Sequence, residues 1–206
     1  FAGPWARKAG HPDTEVLVHP SAASVPRPAG TVLASPGGWY NAGDYNKYII
    51  SSAFATSILF MAWEHYPEAF RDLETGIPES GNGVPDLVDE AIWNLRWMLT
   101  MQDPGDGGVY HKLSTKDFAG FLPDEFVMPA DAVAPRFLFA KSTSATLDFA
   151  ATTAIASRVL GAWPETESLA RECLSAAKSA WRWAQQHPDV FYEEPEDTIT
   201  GAYSYE

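Results

Sequence analysis

Four long stretches with helical apolar spacing alternate here with segments too rich in Pro and Gly to be helical, and this constrains the fold most. The first stretch, about Asn46 to His65, repeats Ile50, Phe54, Ile58 and Met61 at the i, i+4, i+8, i+11 spacing of one helix face. Pro67 closes it. The second runs from about Pro85 to Gln102. Pro85 suits the first helical position, and Asp86, Asp89 and Glu90 suit the positive end of the dipole. Leu87, Ala91, Leu95 and Leu99 form a stripe that Ile92, Trp93 and Trp97 widen to most of the circumference. A helix apolar on so many sides packs against several neighbours, and Trp93 and Trp97 read as core. The third stretch, about Ser142 to Leu160, carries Leu147, Ala151, Ala154 and Ile155, with many Ala and Thr that favour close approach. The fourth, about Pro164 to Gln186, sets Leu169, Cys173, Ala176, Ala180 and Trp183 on one face and ends at His187-Pro188.

Between these stretches the chain is irregular. In residues 1–44 the prolines leave no helical period, and only TEVLVH reads as a short extended piece. Residues 103–141 and the tail EEPEDTITGAYSYE are loop-like. Loops this long in a compact domain are unusual and often functional. The pattern predicts an all-α domain of antiparallel helix hairpins, with almost no strand signal and the long loops at one end. Four helices this apolar do not close a core alone, so the chain is expected to be part of a larger helical barrel. The expected organisation is one partial domain over 1–206: an irregular segment, 1–44, carrying a functional loop, then helical hairpins over 45–206.

The 206-residue chain is 46% hydrophobic, which permits a real core and argues against disorder. Its formal net charge is -13, with 27 acids against 14 bases. Phosphate binding needs clustered Lys and Arg, so nucleic acid is disfavoured, as are polyanionic polysaccharides. A neutral partner fits best. Eight Trp and eight Tyr supply flat apolar faces with a polar edge, which suit sugar rings as well as cores. Cys173, the only cysteine, excludes an internal disulfide framework and a Cys-rich zinc site. No run of about 18 apolar residues is present to span a membrane. The start at Phe1 without Met reads as a cut in a longer precursor.

One loop concentrates the candidate chemistry. SPGGWYNAGDYNKYI, Ser35 to Ile49, surrounds the single acid Asp44 with glycines and with Trp39, Tyr40, Tyr45 and Tyr48. Its position just ahead of the first helix suggests a carboxylate kept anionic by the helix dipole, fit to act as a general base for water. A plain helix cap is the competing reading. The aromatics suggest the wall of a sugar subsite.

GGWYNAGDYNKY resembles the G-G-W-x-D-A-G-D-x-x-K-[YF] signature of glycoside hydrolase family 9, the cellulase family with an (α/α)6 toroid, or six-hairpin glycosidase fold. FAGPWARKAGHPD, IPESGNGVPDLVDEAIWNLRWMLTMQDPGDGGVYHKL, FVMP, KSTSATLDFAATTAIASRVL and TGAYSY are similar to the same family in the same order. The resemblance covers nearly the whole chain and corresponds to the N-terminal portion of the catalytic domain. It implies hydrolysis of β-1,4-glucosidic bonds in cellulose or related β-glucans with inversion. Inversion needs two carboxyl groups roughly 6.5–9.5 Å apart, leaving room for a water. Asp44 matches the family's base. Asn41 stands where the family has a second acid that helps hold the water. An amide can hydrogen-bond a water but cannot take its proton. The family's general acid, a Glu close to the end of the full barrel, has no counterpart here, since Glu206 has the wrong context. The isolated chain is therefore expected not to hydrolyse cellulose, and further segments are expected beyond both ends.

Other residues complete the candidates. Tyr110 and His111, in GGVYHKL, lie where the resemblance places substrate subsites; a structural role competes for the histidine. Arg136, in APRFLF, suits a sugar contact or a structural ion pair. Trp39 and Tyr40 are the candidate subsite wall. Asp86, Asp89 and Glu90 read as capping residues, and Asp103 and Asp106 as turn residues. No cofactor and no metal is expected. DTITGAYSYE offers a few oxygens, but the family's calcium ligands continue past it, so calcium in a complete domain is not placed. The expected partner is a β-glucan polysaccharide or cello-oligosaccharide, with no nucleic acid and no membrane. A polymeric substrate implies a secreted, periplasmic or cell-surface protein. The alternatives are an exo-acting cello-oligosaccharide hydrolase of the same fold, and a non-catalytic glucan-binding fragment.

Overall fold

The computed structural model describes residues 10–118, 127–128 and 131–201. The stretches FAGPWARKA and AYSYE, and Phe126 and Pro129 of FVMP, lie outside the described residues.

The four expected helices are all present. They are α1 (Ile49–His65), α3 (Asp86–Thr100), α4 (Thr143–Leu160) and α5 (Glu167–Gln186), with a short α2 (Pro67–Phe70) after α1. Pro67 thus ends α1 and opens α2. A 3-10 turn, Pro164–Thr166, leads into α5. α1 packs against α3 and α4, and α4 against α5.

The all-α expectation needs correction, because a mixed five-stranded sheet accompanies the helices. Its strands are β1 (Val16–Val18), β2 (Val32–Leu33), β3 (Lys47–Tyr48), β4 (Lys112–Ser114) and β5 (Arg136–Leu138), in the order β2-β1-β5-β4-β3. β1 runs parallel to β5, with Val16 opposite Arg136; the other pairs are antiparallel. β1 falls inside TEVLVH. The remaining strands have only two or three residues, too few for a period-two pattern to register. The sheet unites the two irregular segments, since β1 and β2 come from the first and β4 and β5 from the second.

The apolar faces divide differently from the sequence stripes. On α5 the expected Leu169, Cys173, Ala176, Ala180 and Trp183 are all buried. On α1 the core side carries Ile49, Ser52, Ala53, Thr56 and Phe60 instead, while Phe54, Ile58 and Met61 are exposed. Hydrogen bonds explain the polar core side: Asn94 Nδ2 donates to Thr56 Oγ1 at 2.8 Å, and Thr152 Oγ1 donates to the Ala53 carbonyl at 3.2 Å. α4 likewise buries Thr146, Phe149, Thr153 and Ala156 and exposes Leu147, Ala151 and Ala154. Trp97 is fully buried, but Trp93 is exposed, against the core reading.

Candidate active site

The loop before α1 does not end in a helix cap. β3 separates Asp44 from the helix, and Tyr48 occupies the N-cap position. The dipole argument for Asp44 therefore fails, because dipole effects fade within the first turn. A buried hydrogen-bond network holds Asp44 instead.

The network begins with Asn46. Its Nδ2 donates to Asp44 Oδ2 at 2.7 Å, and its backbone N–H makes a longer 3.4 Å contact with Asp44 Oδ1. Asn46 Oδ1 accepts from Arg136 Nη1 at 3.1 Å and from the Thr115 backbone N–H at 3.2 Å. Asp44 is 3% exposed and Asn46 0%. The intervening Tyr45 has a positive φ of 60°, a conformation that costs a non-glycine residue about 1 kcal/mol or more and persists only where its surroundings enforce it. The enforcers are visible. Arg136 Nη2 donates to the Tyr45 carbonyl at 2.8 Å, the Tyr45 hydroxyl donates to the Val127 carbonyl at 2.5 Å, and the Tyr40 ring meets the Tyr45 ring edge-on at 5.2 Å.

A buried ion cluster anchors both ends of this loop. Asp13 accepts from Lys47 Nζ at 2.5 Å and from Arg136 Nε at 3.0 Å, with all three side chains buried. Lys47 also donates to the Gly37 carbonyl at 2.5 Å. One carboxylate thus joins the start of the loop, through Lys47, to its end, through Arg136. Burial pulls the Lys47 ammonium below its ordinary pKa, and Asp13 opposes that pull. His11 lies against this cluster and Tyr45; burial, then the Arg136 charge, lowers its pKa to about 4. Gly38 has φ +77°, and a Cβ there would lie 2.6 Å from Trp97 Cγ, so the turn packs flat on α3 as only glycine allows.

The other candidates separate. Trp39 is half-buried and tied to α3: its backbone N–H donates to Asn94 Oδ1 at 2.8 Å and its Nε1 to Glu90 Oε1 at 2.7 Å. Tyr40 is half-buried beside it. The Asn41 backbone N–H donates to the Asn46 carbonyl at 2.8 Å, which closes the loop around Asp44. Arg136 occupies the structural ion pair that was one of its two readings. Tyr110 is buried and donates to Asp103 Oδ2 at 3.0 Å; burial, then the Asp103 charge, raises its pKa to about 12. His111 is buried, with Nδ1 2.8 Å from Ser142 Oγ and its ring stacked on Tyr192 at 4.1 Å. In the described residues, therefore, Trp39, Tyr40, Asn41 and Asp44 share one loop, whereas Tyr110, His111 and Arg136 lie in the core behind it.

Lys112 was not foreseen. It is fully buried, donates to Glu194 Oε2 at 2.7 Å, Thr200 Oγ1 at 2.9 Å and the Gly201 carbonyl at 2.8 Å, and lies close enough to Asp44 for their charges to interact. Asp13, Asn46 and Lys47 were missed as well. Only the D-Y-N spacing hinted at the Asn46 contact. Among the described residues no group of three or more His, Cys, Asp or Glu could hold a metal ion, and no helix is long and apolar enough to cross a membrane.

Comparison with known proteins then decides the family. The model of glycosyl hydrolase family 9 matches residues 3–206. The chain belongs to glycosyl hydrolase family 9. Its similarity to a xyloglucan-specific endo-β-1,4-glucanase of Bacteroides ovatus is 48% identity over 94% of this chain and 32% of that protein. Endoglucanase D of Acetivibrio thermocellus is 37% identical over 81% of this chain and 26% of its own length. Among solved structures, a family 9 protein of Bacteroides ovatus superposes with a TM-score of 0.92 at 45% identity, covering 98% of this chain and 38% of that one. A thermostable endoglucanase of Alicyclobacillus acidocaldarius, as its D468A variant, gives 0.84 at 34% identity, covering 98% and 36%. The chain thus spans about a third of the family 9 relatives it matches.

Proposed function

We propose that this chain is the base-bearing part of a family 9 β-1,4-glucanase, which hydrolyses its substrate with inversion and uses Asp44 as general base. The observation that carries the reading is the asymmetry of the Asp44 carboxylate. Oδ2 is held by Asn46, while among the described residues Oδ1 receives only the long 3.4 Å contact. A positioned carboxylate with one lightly engaged oxygen is what proton abstraction from water needs. Trp39 and Tyr40 flank it as a sugar wall, and Asn41 orients the water without taking its proton. The general acid, on the opposite side of the scissile bond, comes from outside this chain. Further hairpins of a six-hairpin toroid would cover the exposed stripe of Phe54, Ile58 and Met61 on α1.

One relative is named a xyloglucan-specific endo-β-1,4-glucanase and another an endoglucanase, which supports reading the substrate as a neutral β-glucan of this class, met outside the cell. The test is activity of the intact protein on cello- and xyloglucan oligosaccharides, with the product anomer followed by NMR. Asp44→Ala should lower kcat by about 10²–10⁴-fold. Asn41→Asp should raise it. An unchanged rate in Asp44→Ala would refute the assignment. Binding of oligosaccharide without turnover by the intact protein would favour the non-catalytic alternative, to which the amide at Asn41 lends its one supporting feature.

A further inference from the structure

We infer that Asn46 is a positioning residue for Asp44, its amide locked in the donating orientation by Arg136 and Thr115. The inference rests on Asp44 being the base. An asparagine side chain can present either its oxygen or its NH2 group to a neighbour, and the network decides which. Arg136 Nη1 and the Thr115 N–H can only donate, and both meet Asn46 at one atom, at 3.1 and 3.2 Å. That atom must be the oxygen. The NH2 group is then fixed toward Asp44 Oδ2 at 2.7 Å. A flipped amide would set two donors against NH2 and two oxygens against each other, all out of water, and each mismatch would carry the cost of a buried unmade bond.

Arg136 cannot yield in this arrangement. Its other nitrogens are committed to Asp13 and to the Tyr45 carbonyl. The orientation of Asp44 is therefore set from the buried ion cluster through a single amide, with Oδ2 held and Oδ1 turned to its task. Asn46 touches Asp44 and not the reacting atoms, and its effect should fall on turnover rather than on substrate affinity.

Asn46→Asp is the sharpest probe in the intact protein. It keeps an acceptor for Arg136 and Thr115, removes the donor to Asp44 and opposes two carboxylates. Asn46→Ala removes the donor without adding charge. In both, kcat should fall about 10- to 100-fold, the scale of a misplaced catalytic group, with KM within twofold of wild type. A folded variant of either kind that keeps kcat within twofold overturns the inference. So does failure of both to fold, since Asn46 would then be a packing residue. So does an equal change in kcat and KM. Asp44→Ala, measured alongside, separates the two levels. If it abolishes turnover while the Asn46 variants do not, only the positioning role falls. If it leaves turnover intact, the base assignment falls and this inference with it.

Discussion

Two arginines in this chain grip carboxylates with the same two-nitrogen fork, in opposite surroundings. Arg136 holds Asp13 through Nε at 3.0 Å and Nη2 at 3.5 Å, with the two side chains 4% and 0% exposed. Arg158 of α4 holds Glu64 of α1 through Nε at 2.5 Å and Nη2 at 2.7 Å, with 63% and 26% exposed. By distance alone the second pair is tighter. By consequence the first matters more. Charges removed from water cannot lose a partner without large cost, whereas exposed ones exchange a partner for solvent. The loop end of the molecule is thus held by a few buried charges, and the helical end by small apolar contacts with ion pairs as ornament. Asp44 lies at the charged end, which suits the base proposed for it, a group whose geometry must not drift.

The first prediction presses on the charged end. Lys47→Met removes one of the two cations on Asp13 and leaves the Gly37 carbonyl without its donor. It should cost about 3–5 kcal/mol of stability in urea unfolding, the range for breaking a buried pair. A loss below about 1 kcal/mol would mean that the cluster relaxes into water and that its burial does not govern it.

The second presses on the helical end. Ala176, Ala177 and Ala180 of α5 are buried, and they let α5 lie close on its neighbour. Ala180→Leu should destabilise by about 1–3 kcal/mol through overpacking. It should leave kcat of the intact protein unchanged once folded, because the hydrogen bonds that hold Asp44 come from Asn46 and not from α5. If kcat fell with it, the two ends would not be mechanically separate.

The two ends also differed in how far the sequence disclosed them. The buried face of α5 was legible because one side of that helix is apolar and the other charged. α1 was not, although its helix was. Phe54, Ile58 and Met61 are greasier than Ser52, Ala53 and Thr56, yet the latter face the core, satisfied by Asn94 and Thr152. Hydrophobic spacing cannot rank a face whose polar groups are paired within the fold. The sheet escaped because its strands are two or three residues long. In the candidate loop, the clustering of Asp44 with Trp39, Tyr40, Tyr45 and Tyr48 was legible from their adjacency, and the role proposed for Asp44 rests on family resemblance. The clamp was not legible, since Asp13 and Arg136 stand 123 residues apart and nothing local links them.

The third prediction uses pH to separate the ends. The His11 pKa, lowered to about 4 by burial and the Arg136 charge, lies below the ordinary 6.5 of an unfolded histidine. Between those values the unfolded chain takes up a proton that the folded chain refuses. Stability is therefore fully present above about pH 6.5 and is lost as pH falls toward 4, by up to about 3 kcal/mol. Asp13, Lys47 and Arg136 are the charged groups that face the imidazole. Thermal melts of wild type and His11→Gln from pH 4 to 7 should differ in slope only there. Parallel curves would place the acid sensitivity elsewhere.

The smallest effect should come from the tighter-looking fork. Arg158→Ala removes both short bonds to Glu64 across the α1–α4 contact. The arginine hydrogen bond holds the Glu64 carboxyl below its usual pKa, but both groups are largely in water and screened by salt. The expected loss is below about 1 kcal/mol and should shrink further as salt is raised. A loss matching that of Lys47→Met would invert the comparison, since distance rather than burial would then rank these pairs. It would also mean that α1 and α4 depend on a charge at their rim and not on the packing of Ala53, Phe149 and Ala156 beneath it.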